Sequence, residues 1–459
     1  MADDVELGPA AASPDRPATE LVGAVEAALA AGDANSARDI VKDLKAPDLA
    51  DVLELLEPEQ SVALIQALGQ AFDFEVLSEL DETVRDRLSE ALPNELLAKA
   101  VAELDTDDAA YVIENLQEAD KQEILAQVSS SDREAIERNL EYPEETAGRL
   151  MQADFVAVAP FWTVGNVIDY MRETPDLPEH FSEIFVVDPS YRVLGSVDLS
   201  RLLRTKREVR VEVIMDTARH LVLATADQEE VARQFERYDL MSAPVVDENN
   251  RLVGVVTVDD VVEVIQDEAD EDMKALAGVG DESLTDSVLK TSGSRVPWLI
   301  VNLGTAILAS FVIKAFDATI EQMVALAVLM PIVASIGGNA GTQTMTVTVR
   351  ALATNELGRV NASRVITREV FVALINGLVL STIMALVVFL WFGSGKLGGV
   401  IGAAMICNSL AAGLGGILVP LVMHRLDLDP APASGVFVTM ITDIVGFFAF
   451  LGLASIWLF

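Results

Sequence analysis

The spacing of hydrophobic and polar positions changes along the chain, and the first pattern is helical. Between about Glu20 and Asn139, apolar residues recur every three or four positions, a spacing typical of short amphipathic helices. Two of these stretches, Asp48–Leu56 and Asp108–Leu116, resemble each other at an offset of 60 residues. The pattern predicts an all-α superhelical N domain over residues 20–146, with stacked helices burying each other's apolar stripes. Residues 1–19 contain three prolines and no such period, which predicts a disordered tail.

A second pattern is an internal duplication. The run Val-Val-Asp-Pro-Ser-Tyr-Arg-Val-Leu-Gly from Val186 is matched 59 residues later by Val-Val-Asp-Glu-Asn-Asn-Arg-Leu-Val-Gly from Val245. Each copy reads as strand, helix, strand, strand and helix, with a polar turn between the last two strands. This arrangement resembles a tandem pair of cystathionine-β-synthase-type (CBS) domains over residues 147–268. Such α/β pairs are usually regulatory, and the fold alone names no ligand.

An acidic run and a linker follow the duplication. Residues 267–272 hold five carboxylates in six positions. Residues 269–294 are expected to form a linker, with a helix from about Ser283 to Ser294 leading into the apolar part of the chain.

Five apolar segments are long enough to cross about 30 Å of hydrocarbon. They predict a five-helix α transmembrane domain over residues 295–459. With the acidic front in the cytoplasm, six arginines (Arg295, Arg350, Arg359, Arg364, Arg368 and Arg425) lie inside against two lysines outside, Lys314 and Lys396. This bias predicts a multi-pass protein of the cell (inner) membrane with its C-terminus outside. The predicted spans are Val296–Phe316, Gln322–Val349, Val370–Phe392, Leu397–Val422 and Ala433–Phe459.

Charge and composition narrow the function. Residues 1–294 carry 24 Lys and Arg against 65 Asp and Glu. Such an acidic part argues against nucleic acid, whose phosphates need basic footprints, and is suited to cations. One cysteine and three scattered histidines do not suit a disulfide framework or a zinc site. There is no Gly-x4-Gly-Lys-Ser/Thr motif for ATP hydrolysis and no signal peptide, so we expect a protein that is not an enzyme and begins in the cytosol.

The chemistry concentrates in the segment Pro331–Thr344 and in one carboxylate. Proline, glycines and amides stand there where a membrane helix would carry Leu or Val, which predicts a broken backbone that lines a wet path. Asp443 lies deep in the last span, where a charge is costly and marks a functional candidate. Oxygen ligands suit hydrated Mg2+. The alternatives are close helix packing at the glycines and a protonated, hydrogen-bonded Asp443. The candidate pore residues are Gly337, Gly338, Asn339, Gln343 and Asp443.

The order of acidic helical domain, CBS pair, linker and five spans resembles the MgtE family of magnesium channels and transporters. That resemblance implies a homodimer in a lipid bilayer, with a pore between the second and fifth membrane helices of each subunit and Mg2+ bound at Asp443. It places Asp429 near the cytoplasmic gate and makes the linker helix a plug that closes at high Mg2+. ATP binding by the CBS pair occurs in the family, although no decisive motif for it stands here. The acidic residues that it assigns to regulatory Mg2+ are Asp107, Glu229, Asp239, Asp260, Glu268, Glu271 and Asp272.

Two positions depart from the family pattern. Tyr111 stands where a second acid of the N domain is expected, and Glu236 stands where a backbone contact is expected. Both departures put metal bridging by the N domain in question.

The expected function is therefore a Mg2+-selective channel or transporter for magnesium uptake, gated by intracellular Mg2+. Bound ions would screen the repulsion between acidic domains and favour a closed state. Two alternatives remain open: a divalent cation transporter coupled to H+ or Na+, and a membrane sensor built on the CBS pair.

Overall fold

The structure, a computed structural model, describes residues 18–174, 177–178, 180–217, 220–280, 282, 286–354, 357, 361–426 and 428–459. It forms two compact units that meet in sequence between Glu268 and Ala269. The predicted tail over residues 1–19 lies outside the described residues, except that Ala18 and Thr19 begin the first helix.

The N domain is all helical, as predicted. Side-chain oxygens of Asp33, Asp81 and Ser129 cap three of its helices by accepting backbone N–H groups, which otherwise lack partners in the first turn. Its helices pack around one continuous core of Leu, Val, Ile and Ala. The helices are α1 (Ala18–Ala30), α2 (Ala34–Val41), α3 (Ala46–Leu55), α4 (Pro58–Leu68), α5 (Glu82–Ala91), α6 (Asn94–Glu103), α7 (Thr106–Ile113), α8 (Glu118–Leu125) and α9 (Ser130–Leu140), with 3-10 turns at Gly69–Ala71 and Phe74–Leu77.

The duplication is confirmed as two equivalent α/β copies. In each three-stranded sheet the first strand pairs parallel with the second, and the second pairs antiparallel with the third. The elements are β1 (Ala157–Val158), α10 (Val164–Glu173), β2 (Glu183–Val187), β3 (Val193–Asp198), α11 (Leu199–Leu203) and α12 (Val211–Ile214), then β4 (Val222–Leu223), α13 (Gln228–Tyr238), β5 (Ser242–Val246), β6 (Leu252–Thr257) and α14 (Val258–Leu276).

The polar turns of the two copies are also equivalent. Asp188 accepts the backbone N–H groups of Ser190 and Arg192, and Asp247 does the same for Asn249 and Arg251. These side-chain bonds fix the hairpins, because an Asp that caps its own turn holds the chain reversal.

The linker differs from the expectation. α14 continues through the acidic run to Leu276, because the residues from 258 to 276 keep a helical spacing of apolar positions and contain neither Gly nor Pro. A separate helix over Ser283–Ser294 is not present: residues 283–285 lie outside the described part, Asp286 and Ser287 are not helical, and Val288 begins the next helix.

Within the described residues, five helices are long and apolar enough to cross a membrane, as predicted. Arg359, one of the six arginines on the expected inner side, is not among the described residues. A short helix, α16 (Asp317–Gln322), lies between the first two spans. The spans are α15 (Val288–Ala315), α17 (Ala325–Ala353), α18 (Ala362–Phe392), α19 (Gly395–Arg425) and α20 (Pro430–Trp457).

Candidate ion path and regulatory carboxylates

The expectation of a broken backbone over Pro331–Thr344 is wrong. α17 runs as one helix from Ala325 to Ala353 and includes Pro331. Proline removes only one backbone N–H donor. In hydrocarbon the remaining backbone hydrogen bonds favour a continuous helix, because an unpaired N–H or C=O group is costly there. Free carbonyls from an unwound segment are therefore not available as ion ligands here.

The glycines of α17 instead pack against two neighbouring helices. A Cβ on Gly337 would overlap Nδ2 of Asn408 on α19. A Cβ on Gly341 would stand 2.5 Å from Cγ1 of Val438 on α20. Both positions therefore need glycine, and the alternative of close helix packing is the one that the structure supports.

Polar side chains occupy the opposite face of α17. At 100° per residue, Ser335, Asn339, Thr342 and Thr346 lie roughly opposite Gly337 and Gly341. All four are exposed in the chain, as is Gln343 on the flank of this face. A polar face at membrane depth must meet water or protein, because lipid offers its groups no partners.

Asp443 lies on the stretch of α20 that packs against the α17 glycines. Its neighbour Thr442 is fully buried, and the Thr442 Cγ2 lies 3.6 Å from where a Cβ on Gly341 would stand. Asp443 itself is only partly buried and is turned by about 100° from Thr442 around the helix. Gly341 is thus brought to the Asp443 helix and Gly337 to Asn408 of α19, whereas Asn339 and Gln343 lie on the opposite side of α17 within one chain.

Gly338 and Asp429 have other surroundings. A Cβ on Gly338 would meet nothing within 4 Å, so this glycine borders open space. Asp429 is exposed and caps α20, where its Oδ1 accepts the Ala431 N–H at 2.9 Å.

The end of α14 packs against the last turns of α17 and the first turn of α20. Ala275 and Leu276 contact a buried apolar cluster that includes Met345 and Val349 of α17 and Ala431 of α20. The described part of the expected linker that contacts α17 and α20 here is therefore the last turn of α14, and its role as a plug stays a prediction.

In the first unit, the structure brings together Asp107 of α7 and Asp260 of α14. Burial raises the pKa of Asp107 well above its usual value, and repulsion from Asp260 adds to the effect. The Asp107 Oδ1 is shielded from solvent and accepts no hydrogen bond from the described residues. A buried carboxylate oxygen facing another carboxylate is a site that a cation would stabilise.

Two further acids, which the sequence analysis missed, join this pair. Burial, followed by repulsion from Asp105 and Glu263, raises the pKa of Asp108 to about 7. Burial likewise raises the pKa of Asp260 to about 7, although a hydrogen bond from Thr257 opposes it. Glu263 follows Asp260 by three positions on one helix face, a spacing that could have identified it. Within the described residues, no three His, Cys, Asp or Glu side chains form a ready metal cage. A site of two carboxylates completed by water is the kind that Mg2+ accepts.

The other predicted regulatory acids are dispersed. Glu229 pairs with Arg233 at 3.5 Å, and Glu268 accepts a hydrogen bond from Gln228 at 2.8 Å. Asp239 is exposed and ends α13 in the left-handed region. Glu236 is exposed on the same helix, and Glu271 and Asp272 are exposed on the second half of α14.

Tyr111, the first departure from the family pattern, makes a cation–π contact with an arginine. The fully buried Arg85 places its guanidinium carbon 3.4 Å from the centre of the Tyr111 ring. Arg85 also pairs with Glu114 at 3.0 Å, and Arg149, at the start of the CBS pair, pairs with the same Glu114 at 2.5 Å. The Arg149–Glu114 ion pair therefore joins the CBS pair to the N domain at this position.

A polar cleft lies between the two CBS copies. Its volume is about 110 Å3, and Asp198, Arg201, Asp216 and His220 line it. The His220 ring stacks on Tyr238 at 3.8 Å. Carboxylates, an arginine and an aromatic pair are groups that could bind a nucleotide, so ATP binding stays a prediction.

Comparison with known proteins decides the family. A family model described as "Divalent cation transporter" matches residues 330–453, the MgtE intracellular N domain model matches residues 44–145, and CBS domain models match residues 147–208 and 209–267. "Magnesium transporter MgtE" of Thermus thermophilus is 32% identical over 446 residues, which cover 95% of this chain and 98% of that protein. The chain belongs to the MgtE family.

Two more relatives agree with this assignment. The Enterococcus faecalis MgtE is 34% identical over 70% of this chain and 71% of its own length. The Bacillus subtilis MgtE is 29% identical over 95% of this chain and 97% of its own. These relatives are named as transporters, not as enzymes. Among solved structures, a crystal structure of the cytosolic domain of the Mg2+ channel MgtE in complex with ATP is 32% identical and covers 53% of this chain and 99% of that one, with a TM-score of 0.49.

Proposed function

We infer that this MgtE-family chain forms a Mg2+-selective uptake path that cytosolic Mg2+ closes. The observation that carries the proposal is the exposed polar face of α17 at membrane depth, opposite the face that packs on α19 and α20. Ser335, Asn339 and Thr342 on this face offer oxygens and amide groups to the water shell of an ion. Mg2+ gives up its waters reluctantly, so contact through water suits it.

A second copy of the chain would complete the path. The polar face of α17 is uncovered in one chain, and a homodimer would turn two such faces toward a common, wet axis. Asp443, on the helix next to α17, would supply charge near that axis. An inside-negative potential then drives a divalent ion inward by about 4.6 kcal/mol per 100 mV, at roughly 2.3 kcal/mol per charge. The acidic unit would face the cytoplasm and the C-terminus the outside.

Closure would act through α14. Asp260 lies near its beginning, beside Asp107, and Leu276 lies at its end, against α17 and α20. Mg2+ bound between the carboxylates would favour one placement of this helix and so hold its end at the path. Several weakly bound ions suffice, because their preferences for the closed state add.

The test of the path is Mg2+ uptake by the full chain in liposomes with Asp443→Asn. We expect uptake to fall at least about tenfold, since a charge about 5 Å from an ion contributes roughly 3 kcal/mol per unit of ion charge at an effective dielectric of about 20. The control is Glu321→Gln, which removes an exposed carboxylate on α16. Equal uptake by the Asp443 variant and the control contradicts the proposal.

The same assay separates the alternatives. A coupled transporter requires an imposed H+ or Na+ gradient, whereas the proposed path carries Mg2+ down its own gradient. A sensor built on the CBS pair would show no uptake at all.

A further inference from the structure

Asn408 is a buried amide in the middle of the membrane domain, between the two helices that the proposed path uses. It lies on α19 and is 1% exposed. Its Nδ2 donates to the carbonyl oxygen of Val333 on α17 at 2.9 Å. Its Oδ1 is shielded from solvent and has no hydrogen-bond partner among the described residues.

The amide fills a space that two glycines leave for it. A Cβ on Gly337 of α17 would overlap Nδ2, and a Cβ on Gly446 of α20 would stand 2.7 Å from the same atom. Asn408 therefore touches both helices at once. Gly446 follows Asp443 by three residues, about one turn along the same helix.

Packing alone does not account for an amide at this position. Leucine has nearly the same shape and would leave no buried oxygen without a partner, which is costly in an apolar interior. What leucine lacks is the directed bond to Val333. In a membrane, where lipid competes equally for apolar surfaces, such bonds and small residues set how two helices meet.

We propose that Asn408 is a positioning residue for the ion path: it fixes the spacing and rotation of α17 relative to α20, and so the distance between the polar face of α17 and Asp443. This inference rests on the proposed path. A hydrated ion is selected by the width and lining of its path. A residue that sets the distance between the polar face of α17 and Asp443 therefore affects which ion passes. Asn408 does so without touching the ion.

The experiment compares initial uptake of Mg2+ and of Mn2+ by the full chain in liposomes, for Asn408→Leu and for Ser409→Ala. Ser409 is a matched control, since it is also buried on α19 but packs against Gly377 of α18. We expect Asn408→Leu to change the Mg2+ to Mn2+ ratio by about threefold, the factor equivalent to an average polar contact between membrane helices. Ser409→Ala should keep the wild-type ratio.

A purely structural role would lower both rates together, so reduced rates with an unchanged ratio overturn the inference. If Asn408→Leu does not fold, Gly446→Ala is compared with Gly446→Ala/Asn408→Ala. The double variant removes the clash and should regain thermal stability while its ratio stays altered; a wild-type ratio in the double variant also overturns the inference. Asp443→Asn is measured in parallel. Loss of uptake there with an unchanged ratio in the Asn408 variants rejects only the role of Asn408, whereas normal uptake there rejects the path itself.

Discussion

At the scale of single residues, neighbouring glycines of α17 have different tasks. Gly337 provides the space that Asn408 enters, and Gly338 borders open space. Both positions are helical, so neither glycine is needed for an unusual backbone conformation. Only the contact surface of Gly337 requires the missing side chain.

The pair Gly337→Ala and Gly338→Ala tests this difference by thermal unfolding of the full chain in detergent. Gly337→Ala should destabilise the protein by about 1–3 kcal/mol, the usual cost of overpacking. Gly338→Ala should be neutral or stabilising by about 0.5–1 kcal/mol, because alanine favours a helix over glycine. Similar melting temperatures for the two variants would contradict the packing.

The sequence singled out candidate path residues but did not predict how they are arranged. Asp443 and the Gly337–Gly341 segment stand out because charge and glycine are rare in apolar runs. Which face a glycine presents depends on the neighbouring helix, and the Asn408 contact joins residues 75 positions apart. A lone amide in the apolar run of α19 was the available signal. In the same way, Asp107 and Asp260 were predicted from the resemblance, whereas Asp108 and Glu263 were missed. Burial raises the pKa of both to about 7, and burial depends on the fold.

At the scale of elements, α14 changes the picture most. Its 19 residues form the last helix of the second CBS copy and, without interruption, the segment that packs against α17 and α20. The acidic run conceals this continuity in the sequence, since five carboxylates resemble a solvated linker. Carboxylates do not break a helix, however, and only the glycines at 278 and 280 end the pattern.

Leu276→Ala tests the role of the α14 end. Removing this half-buried side chain should weaken the contact of α14 with α17 and α20, which the proposed closed state uses, by about 1 kcal/mol. Inhibition of uptake by Mg2+ on the cytosolic side should therefore need about fivefold more Mg2+.

The control for this change is Met273→Ala on the same helix, where the side chain is 65% exposed. An unchanged inhibition constant for Mg2+ in Leu276→Ala would contradict a role of the α14 end in closing the path.

At the scale of the whole molecule, negative charge dominates the soluble part, and the formal net charge is -40. Arg85 and Arg149 offset it locally at Glu114, so one contact between the N domain and the CBS pair is independent of metal. Nearby, Asp107, Asp108 and Asp260 retain their repulsion. We infer that Mg2+ acts on a domain pair that is already joined, and adjusts its placement rather than assembling it.

The raised carboxylate pKa values give a pH test of that idea. Burial raises the pKa of Asp108 and of Asp260 from 3.8 to about 7. Between pH 3.8 and about 7 the folded protein therefore binds more protons than the unfolded chain. Stability from these groups is present at low pH and is lost as the pH rises toward about 7. Without Mg2+, the full chain in detergent should melt at a lower temperature at about pH 7.5 than at about pH 5.5.

Added Mg2+ should reduce that difference, because it replaces the protons. Asp108→Asn/Asp260→Asn should reduce both effects, although Asp107 and Glu263 also have raised pKa values, and Glu248→Gln, an exposed carboxylate of a CBS turn, should preserve them. Equal melting temperatures with and without Mg2+ at the higher pH would contradict a metal site between these residues.

α17 has a packed glycine face and an exposed polar face on opposite sides, so inserting residues into this helix would disturb it more than exchanging them. One inserted residue between Gly337 and Thr346 would rotate everything beyond it by about 100° and carry path-facing hydroxyls into the α19 and α20 contacts. Four inserted residues would restore the phase to within about 40°. If ions pass along the polar face, as proposed, the residues on that face can be exchanged one by one. The number of residues between the packed glycines and the end of the polar face must stay constant.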